Sequence, residues 1–296
     1  METEPYETTA RSAVIWSEGL RLAATVVAPA QRNGLLPGIL LCHGWGGTKQ
    51  HLLDSYAGYF ARSGYIVLAF DYRTWGESDG KPVPIADEPM LTERGERTVR
   101  VRVMREVVDP VDHVTDARAA LAYLVGEPGI DPRRLGLFGT SYGAGHVLCV
   151  AGTDDRVRAV VSQIGGYGHP SRPEFVEPAR KLATDKARGT IDPPLPQRDP
   201  DASVVGLRGA PDMARQLLHS PLEMARRVRV PTLFIDAEFE EYNQNDPDLQ
   251  GIGAYEVVRQ HAVSERHTFP CTHYRVYDEY LEPARELALN WFNAHL

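Results

Sequence analysis

The chain has 296 residues, of which 43% are hydrophobic and 24% charged, the balance of a globular protein with a sizeable core. Its formal net charge of -8 argues against nucleic acid as a main partner, and no apolar run reaches membrane-spanning length. Cys42, Cys149 and Cys271 are too few and too scattered for a disulfide framework or a zinc site, and the N-terminus lacks a basic start and an apolar stretch. A reduced, cytoplasmic setting without metal or cofactor is therefore expected.

In chain order, residues 12–16 and 20–28 are β-type runs around Glu18-Gly19, which predicts a hairpin. Residues 38–42 form a continuous apolar strand ending in His43-Gly44-Trp45-Gly46-Gly47. Helical spacing over 50–63 stops at Gly64, and a second buried strand at 65–70 leads into Asp71-Tyr72-Arg73 and Gly76-Glu77-Ser78. Residues 81–108 are an excursion whose Arg94, Arg97, Arg100, Arg102 and Arg105 read as a salt-bridged surface. An amphipathic helix over 111–124 follows Asp109-Pro110. Then comes an apolar strand ending at Phe138, the turn Gly139-Thr140-Ser141-Tyr142-Gly143, and a small-residue helix from Ala144. Strands are predicted at 157–164, 230–236 and 266–271, with helices over 255–263 and 283–296.

Buried strands alternating with helices predict an α/β fold, a mostly parallel central sheet with helices on both faces. Residues 165–229 are too long for a connection and too apolar to be wholly disordered. They read as a helical cap inserted into a core formed by 1–164 and 230–296.

In such sheets reactive groups gather beyond the carboxyl ends of the strands. There the chain offers a Gly-rich loop after Cys42, Ser141 after Phe138, Asp236, Glu238, Glu240 and Glu241 after Ile235, and His273 after Phe269. G-x-S-x-G on a strand-turn-helix junction fits a serine nucleophile, and serine, carboxylate, histidine in that order fits a hydrolytic triad. His43 reads as shaping its loop, and His146, about a turn past Ser141, as packed or pocket-lining. Gly46-Gly47-Thr48-Lys49 has Lys and Thr in the wrong order for a phosphate loop.

Over nearly its whole length the chain resembles the α/β-hydrolase superfamily. His43-Gly44-Trp45-Gly46-Gly47, Phe70-Asp71-Tyr72-Arg73, Gly139-Thr140-Ser141-Tyr142-Gly143, Phe234-Ile235-Asp236-Ala237-Glu238 and Thr272-His273-Tyr274 are similar to the small dienelactone-hydrolase-like serine hydrolases. They are also similar to a branch of polyketide transferases and thiohydrolases, whereas dienelactone hydrolase itself carries a cysteine nucleophile. The resemblance implies Ser141 as nucleophile, His273 as base, and the backbone N–H groups of Tyr142 and Trp45 as the oxyanion hole. It aligns Glu240 with the usual acid, with Glu241 and Asp236 as alternatives, and gives Asp71, Arg73 and Asp79 structural roles.

Ile164, Tyr167, Phe175, Met213, Leu217 and Phe239 are candidates for the pocket lining or for the core of the insertion. The expected activity is cleavage of a small to medium carboxylic ester or thioester through an acyl-enzyme. Acyl transfer is the alternative, and a peptidase or an inactive binding protein stand further back. Oligomeric state is open, a homodimer included.

Overall fold

The computed structural model describes residues 6–85, 98–168, 173–191, 207–242 and 250–296. An amino-terminal hairpin pairs β1 (Thr8–Ser17) with β2 (Leu20–Pro29). Its two turn residues, Glu18 and Gly19, take φ of 47° and 82°, a geometry that suits the right-handed twist of the strands. β3 (Leu36–Cys42) leads into α1 (Lys49–Leu52), a π-turn over Leu53–Ala57, α2 (Gly58–Arg62) and β4 (Ile66–Phe70). The excursion that follows contains a small hairpin, Lys81–Pro84 against Val101–Met104, and the short strand Val107–Val108. Arg94 and Arg97 lie outside the described residues.

Helix α3 (Pro110–Val125) starts where the sequence signals it, because the Asp109 carboxylate accepts from the N–H of Val111 at 3.0 Å and of Asp112 at 3.2 Å. β5 (Ile130–Thr140), α4 (Tyr142–Ala151) and β6 (Val157–Gln163) complete the strand-turn-helix-strand unit around Ser141. The stretch before β7 (Thr232–Ala237) contains α5 (Pro173–Ala187), α6 (Met213–Gln216) and α7 (Pro221–Ala225). The chain ends through α8 (Gly251–Val258), β8 (Ser264–Phe269), a 3-10 turn at His273–Tyr277 and α9 (Leu281–His295).

The eight strands form one sheet in the order β1-β2-β4-β3-β5-β6-β7-β8. β2 runs antiparallel to β1 and β4, and every pairing from β4 across to β8 is parallel. Successive side chains of the buried strands therefore serve opposite faces. Leu40 and Cys42 join a core with Leu121, Leu124 and Leu148 of α3 and α4. Ile39 and Leu41 join a second core with Tyr56, Phe60 and Phe292, which brings in α2 and α9. Packing on both faces leaves the carboxyl edge of the parallel strands as the place where loops converge.

Element boundaries differ from the sequence reading where local pattern is weak. β8 occupies Ser264–Phe269, two residues earlier than expected, and alternates between half-buried and exposed positions as an edge strand does. Its register is set by pairing with β7, Thr232 opposite Ser264. α8 begins at Gly251, earlier than the predicted 255, although Gly-Ile-Gly-Ala is a poor helix former.

Candidate active site

The turn after β5 holds Ser141 at φ 53° and ψ -125°, a strained backbone for a residue with a side chain. The glycines around it are required by close approach. A Cβ on Gly139 would stand 2.3 Å from the Gly143 carbonyl oxygen, and one on Gly143 would stand 2.4 Å from the Cys42 carbonyl oxygen. The turn is also held across the sheet, where Ser141 N–H donates to the Gln163 carbonyl at 2.8 Å.

Three of the residues singled out from sequence meet here. Ser141 Oγ lies 3.1 Å from His273 Nε2, and His273 Nδ1 lies 2.7 Å from Glu240 Oε2. With the proton on Nδ1 the imidazole donates to Glu240 and its Nε2 accepts from the serine hydroxyl. His273 and Glu240 are buried, at 5% and 6% exposure, which shields the bond between them from water, while Ser141 is half-buried. Glu240 is itself held, since its Oε1 accepts from the Tyr242 N–H at 3.0 Å. The two loops that carry Glu240 and His273 are zipped together by Glu238 N–H to the Phe269 carbonyl (2.9 Å) and Phe239 N–H to the Cys271 carbonyl (3.0 Å).

The other two carboxylates do different work. Glu241 Oε2 accepts from the main-chain N–H of His273 at 2.8 Å, fixing the peptide and not the ring. Asp236 is buried and pairs with Arg266 Nε from the neighbouring strand at 2.5 Å. Burial raises its pKa above the ordinary carboxylate value, and the Arg266 charge opposes that rise. A polar chain also ties the 3-10 turn that begins at His273 to the residue before Ser141: Tyr277 shares a hydrogen bond with Thr140 Oγ1 (2.8 Å), Gln163 Nε2 donates to that same oxygen (3.0 Å), and Tyr56 donates to Gln163 Oε1 (3.0 Å).

The loop after β3 stands directly against the serine, for a Cβ on Gly44 would lie 2.7 Å from Ser141 Cβ. His43 is buried beneath it, its Nδ1 2.9 Å from the Gly44 carbonyl oxygen, and its ring meets Tyr72 edge-on at 4.5 Å. Trp45, next in that loop, and Tyr142, next after the serine, pack ring to ring at 5.3 Å. Asp71 receives Lys49 N–H at 2.7 Å and Glu77 N–H at 3.0 Å, and Asp79 pairs with Arg21 at 3.0 Å. Lys49 is thus committed to an ion pair with Asp71 and Glu77.

Two of the pocket candidates belong elsewhere. Tyr167 is fully buried, its hydroxyl 2.7 Å from Ser162 Oγ, so it is part of the core and not a pocket wall. His146 is also fully buried, stacked edge-on among Tyr142 (4.7 Å), His219 (5.0 Å) and His113 (5.4 Å). Ile164, at φ 41°, lines a small cavity with Asp236, Glu240 and Gln250, which neither Ser141 nor His273 borders. Phe239 and Phe175 are exposed, and Met213 and Leu217 are half-buried.

Sequence reasoning missed two aromatic residues beside His273. Tyr242 meets the His273 ring edge-on at 5.0 Å and Tyr274 meets it at 5.2 Å, with their hydroxyls 3.1 Å apart. The only sequence signal was their adjacency to Glu241 and His273. Among the described residues there is no group of three or more His, Cys, Asp or Glu side chains arranged to hold a metal, and no helix long and apolar enough to cross a membrane.

The model of the X-Pro dipeptidyl-peptidase (S15) family matches residues 18–169, a stretch that runs from the first hairpin past the nucleophile turn. The chain belongs to the S15 family. Among similar proteins, an uncharacterized 31.7 kDa protein from the traX-finO intergenic region of Escherichia coli is 28% identical over 95% of this chain and 97% of its own. Thiohydrolase aneE of Aspergillus aculeatus is 30% identical over 49% of this chain and 38% of its own length. The crystal structure of the α/β hydrolase GrgF from Penicillium sp. sh18 superposes with a TM-score of 0.72 at 17% identity, covering 98% of this S15 chain and 99% of that one. The fold is that of the α/β hydrolases, as the sequence resemblance implied.

Proposed function

We propose that this α/β hydrolase is a serine esterase or thioesterase that works through an acyl-enzyme. The observation that carries the reading is the relay Ser141–His273–Glu240, with contacts of 3.1 and 2.7 Å, the second of them buried. Ser141 Oγ attacks the acyl carbon as its proton passes to His273 Nε2, and Glu240 keeps the imidazole in the right tautomer and stabilises its charged form. The Tyr142 and Trp45 N–H groups are assigned to the tetrahedral oxyanion, where losing one such donor typically costs about 10²–10³ in kcat. Collapse expels the leaving group, which takes the proton back from His273. Water then repeats the sequence on the acyl-enzyme.

Because His273 must reach the leaving atom, the leaving group is assigned to the side of Tyr242 and the exposed Tyr274, whose rings form an aromatic surface against His273. Such a surface favours an apolar organic ester or thioester over a sugar or phosphate, and the similarity to a thiohydrolase adds weight to the sulfur variant. Residues 165–229 are assigned the role of a cap, a reading supported by two hydrogen bonds from this stretch to Tyr142 and Trp45.

The test is a panel of p-nitrophenyl esters and acyl thioesters of increasing chain length, with an X-Pro p-nitroanilide as the peptidase control and products identified by mass spectrometry. Turnover of esters or thioesters to free acid supports the reading. Conversion only when an alcohol is added assigns acyl transfer instead, and turnover of the anilide alone overturns the substrate class.

A further inference from the structure

Both residues assigned to the oxyanion hole are gripped by one short segment between β6 and β7. The Tyr142 hydroxyl donates to Gln216 Oε1 at 2.6 Å, and Trp45 Nε1–H donates to the Arg208 carbonyl at 3.0 Å. The Arg208 peptide also lies on the loop itself, since a Cβ on Gly46 would stand 3.2 Å from its oxygen. The Trp45–Tyr142 ring contact at 5.3 Å joins the two attachments into one unit.

The segment is in turn fixed to the body of the fold. Ala210–Pro211 pairs with Val107–Val108, and Arg215 reaches Asp109 at 2.8 Å and Asp112 at 2.9 Å at the start of α3. The Gln216 side chain is oriented by this contact alone, for its amide nitrogen is buried with no hydrogen-bond partner among the described residues.

A buried donor with no partner is unfavourable, so the side chain is kept here by what its oxygen does. That oxygen restrains the residue immediately after the strained serine. Strain such as that at Ser141 persists only where the surroundings over-determine it, and Tyr142 is the first residue of the helix that follows the serine, where backbone N–H groups have no intrahelical partner.

We propose that Gln216 is a positioning residue that, with the Arg208 carbonyl, holds Tyr142 and Trp45 so that their N–H groups converge on the oxyanion. The proposal rests on the acyl-enzyme reading above. It makes the segment at 207–220 a part of the catalytic apparatus as well as cover for it, and it predicts that loosening the segment slows chemistry more than it weakens binding.

The test uses Gln216→Leu, which removes the acceptor at similar volume, Tyr142→Phe, which removes the donor, their double variant, and Gln216→Glu, which keeps an acceptor. A short-chain p-nitrophenyl ester reports kcat and KM, and phenylboronic acid serves as the tetrahedral mimic. Each single variant is expected to lose roughly tenfold in kcat and in boronate affinity with KM changed by less than about threefold, the range of one hydrogen bond. The double variant should be no worse than either single, and Gln216→Glu should recover most of the loss.

If Gln216→Leu does not fold, Tyr142→Phe reads the same bond from its other end. Unchanged kcat and boronate affinity in Tyr142→Phe, multiplicative losses in the double variant, or a loss confined to melting temperature overturns the proposal. Activity surviving in Ser141→Ala would instead overturn the acyl-enzyme reading beneath it, so the two failures are distinguishable.

Discussion

Mild acid should unfold this protein through the imidazoles beneath the nucleophile. His43, His113 and His146 are buried at 3%, 3% and 0% exposure. Burial pushes His43 down to about 4 and His113 to about 3, and it holds His146 well below 6.5, with neighbouring imidazoles adding to the effect. Each folded value lies below the unfolded one. The stability these groups confer is therefore complete above pH 6.5 and is lost as pH falls, because the unfolded chain takes up protons that the folded chain cannot.

At pH 5 each imidazole favours the unfolded state by about 2 kcal/mol relative to pH 7, so three amount to about 6 kcal/mol, comparable to the whole stability of many domains. Urea titrations followed by tryptophan fluorescence at pH 7, 6 and 5 measure this directly. The expected slope near pH 5 is about 4 kcal/mol per pH unit, and His146→Phe should reduce it by about a third. An unfolding free energy unchanged between pH 7 and pH 5 would refute the reasoning, as would a slope that His146→Phe leaves intact.

Glu240→Gln should lower kcat roughly 10³–10⁴-fold, since an amide opposite Nδ1 favours the wrong tautomer, while Glu241→Gln, which touches only the His273 peptide, should cost less than about tenfold. Arg73→Met should destabilise the fold by about 3–5 kcal/mol in urea, because Asp116 would be left buried without the guanidinium bonds of 2.9 and 2.6 Å and keep only the main-chain N–H of residue 73 at 2.8 Å, and adding Asp116→Leu should recover part of that loss.

The Ser141 turn was legible because its constraint is local: a strained serine needs glycines where an added Cβ would stand 2.3 or 2.4 Å from a neighbouring carbonyl oxygen. His273 was legible from strand order. Choosing Glu240 among the four carboxylates after Ile235 needed the family resemblance, because nothing local says that Asp236 will be claimed by Arg266 from β8. For His146 the sequence offered packing or pocket lining, and it could not name the neighbours against which the ring packs. Its companions come from positions 43, 113 and 219, which only the sheet order brings together. The same holds for Gln216, whose partner Tyr142 lies 74 positions away. The early start of α8 is a tertiary effect as well, since Gly251 sits where a Cβ would be 2.1 Å from an Asp236 oxygen.

The central claim is that Ser141 is the residue that becomes acylated. A fluorophosphonate probe followed by peptide mass mapping tests it most directly, alongside aryl-ester hydrolysis by wild type and by Ser141→Ala at matched folding. A single adduct on Ser141, none in Ser141→Ala, and hydrolysis abolished in that variant are the expected results. Full ester hydrolysis by Ser141→Ala, or an active wild type whose adduct maps to another residue, would contradict it.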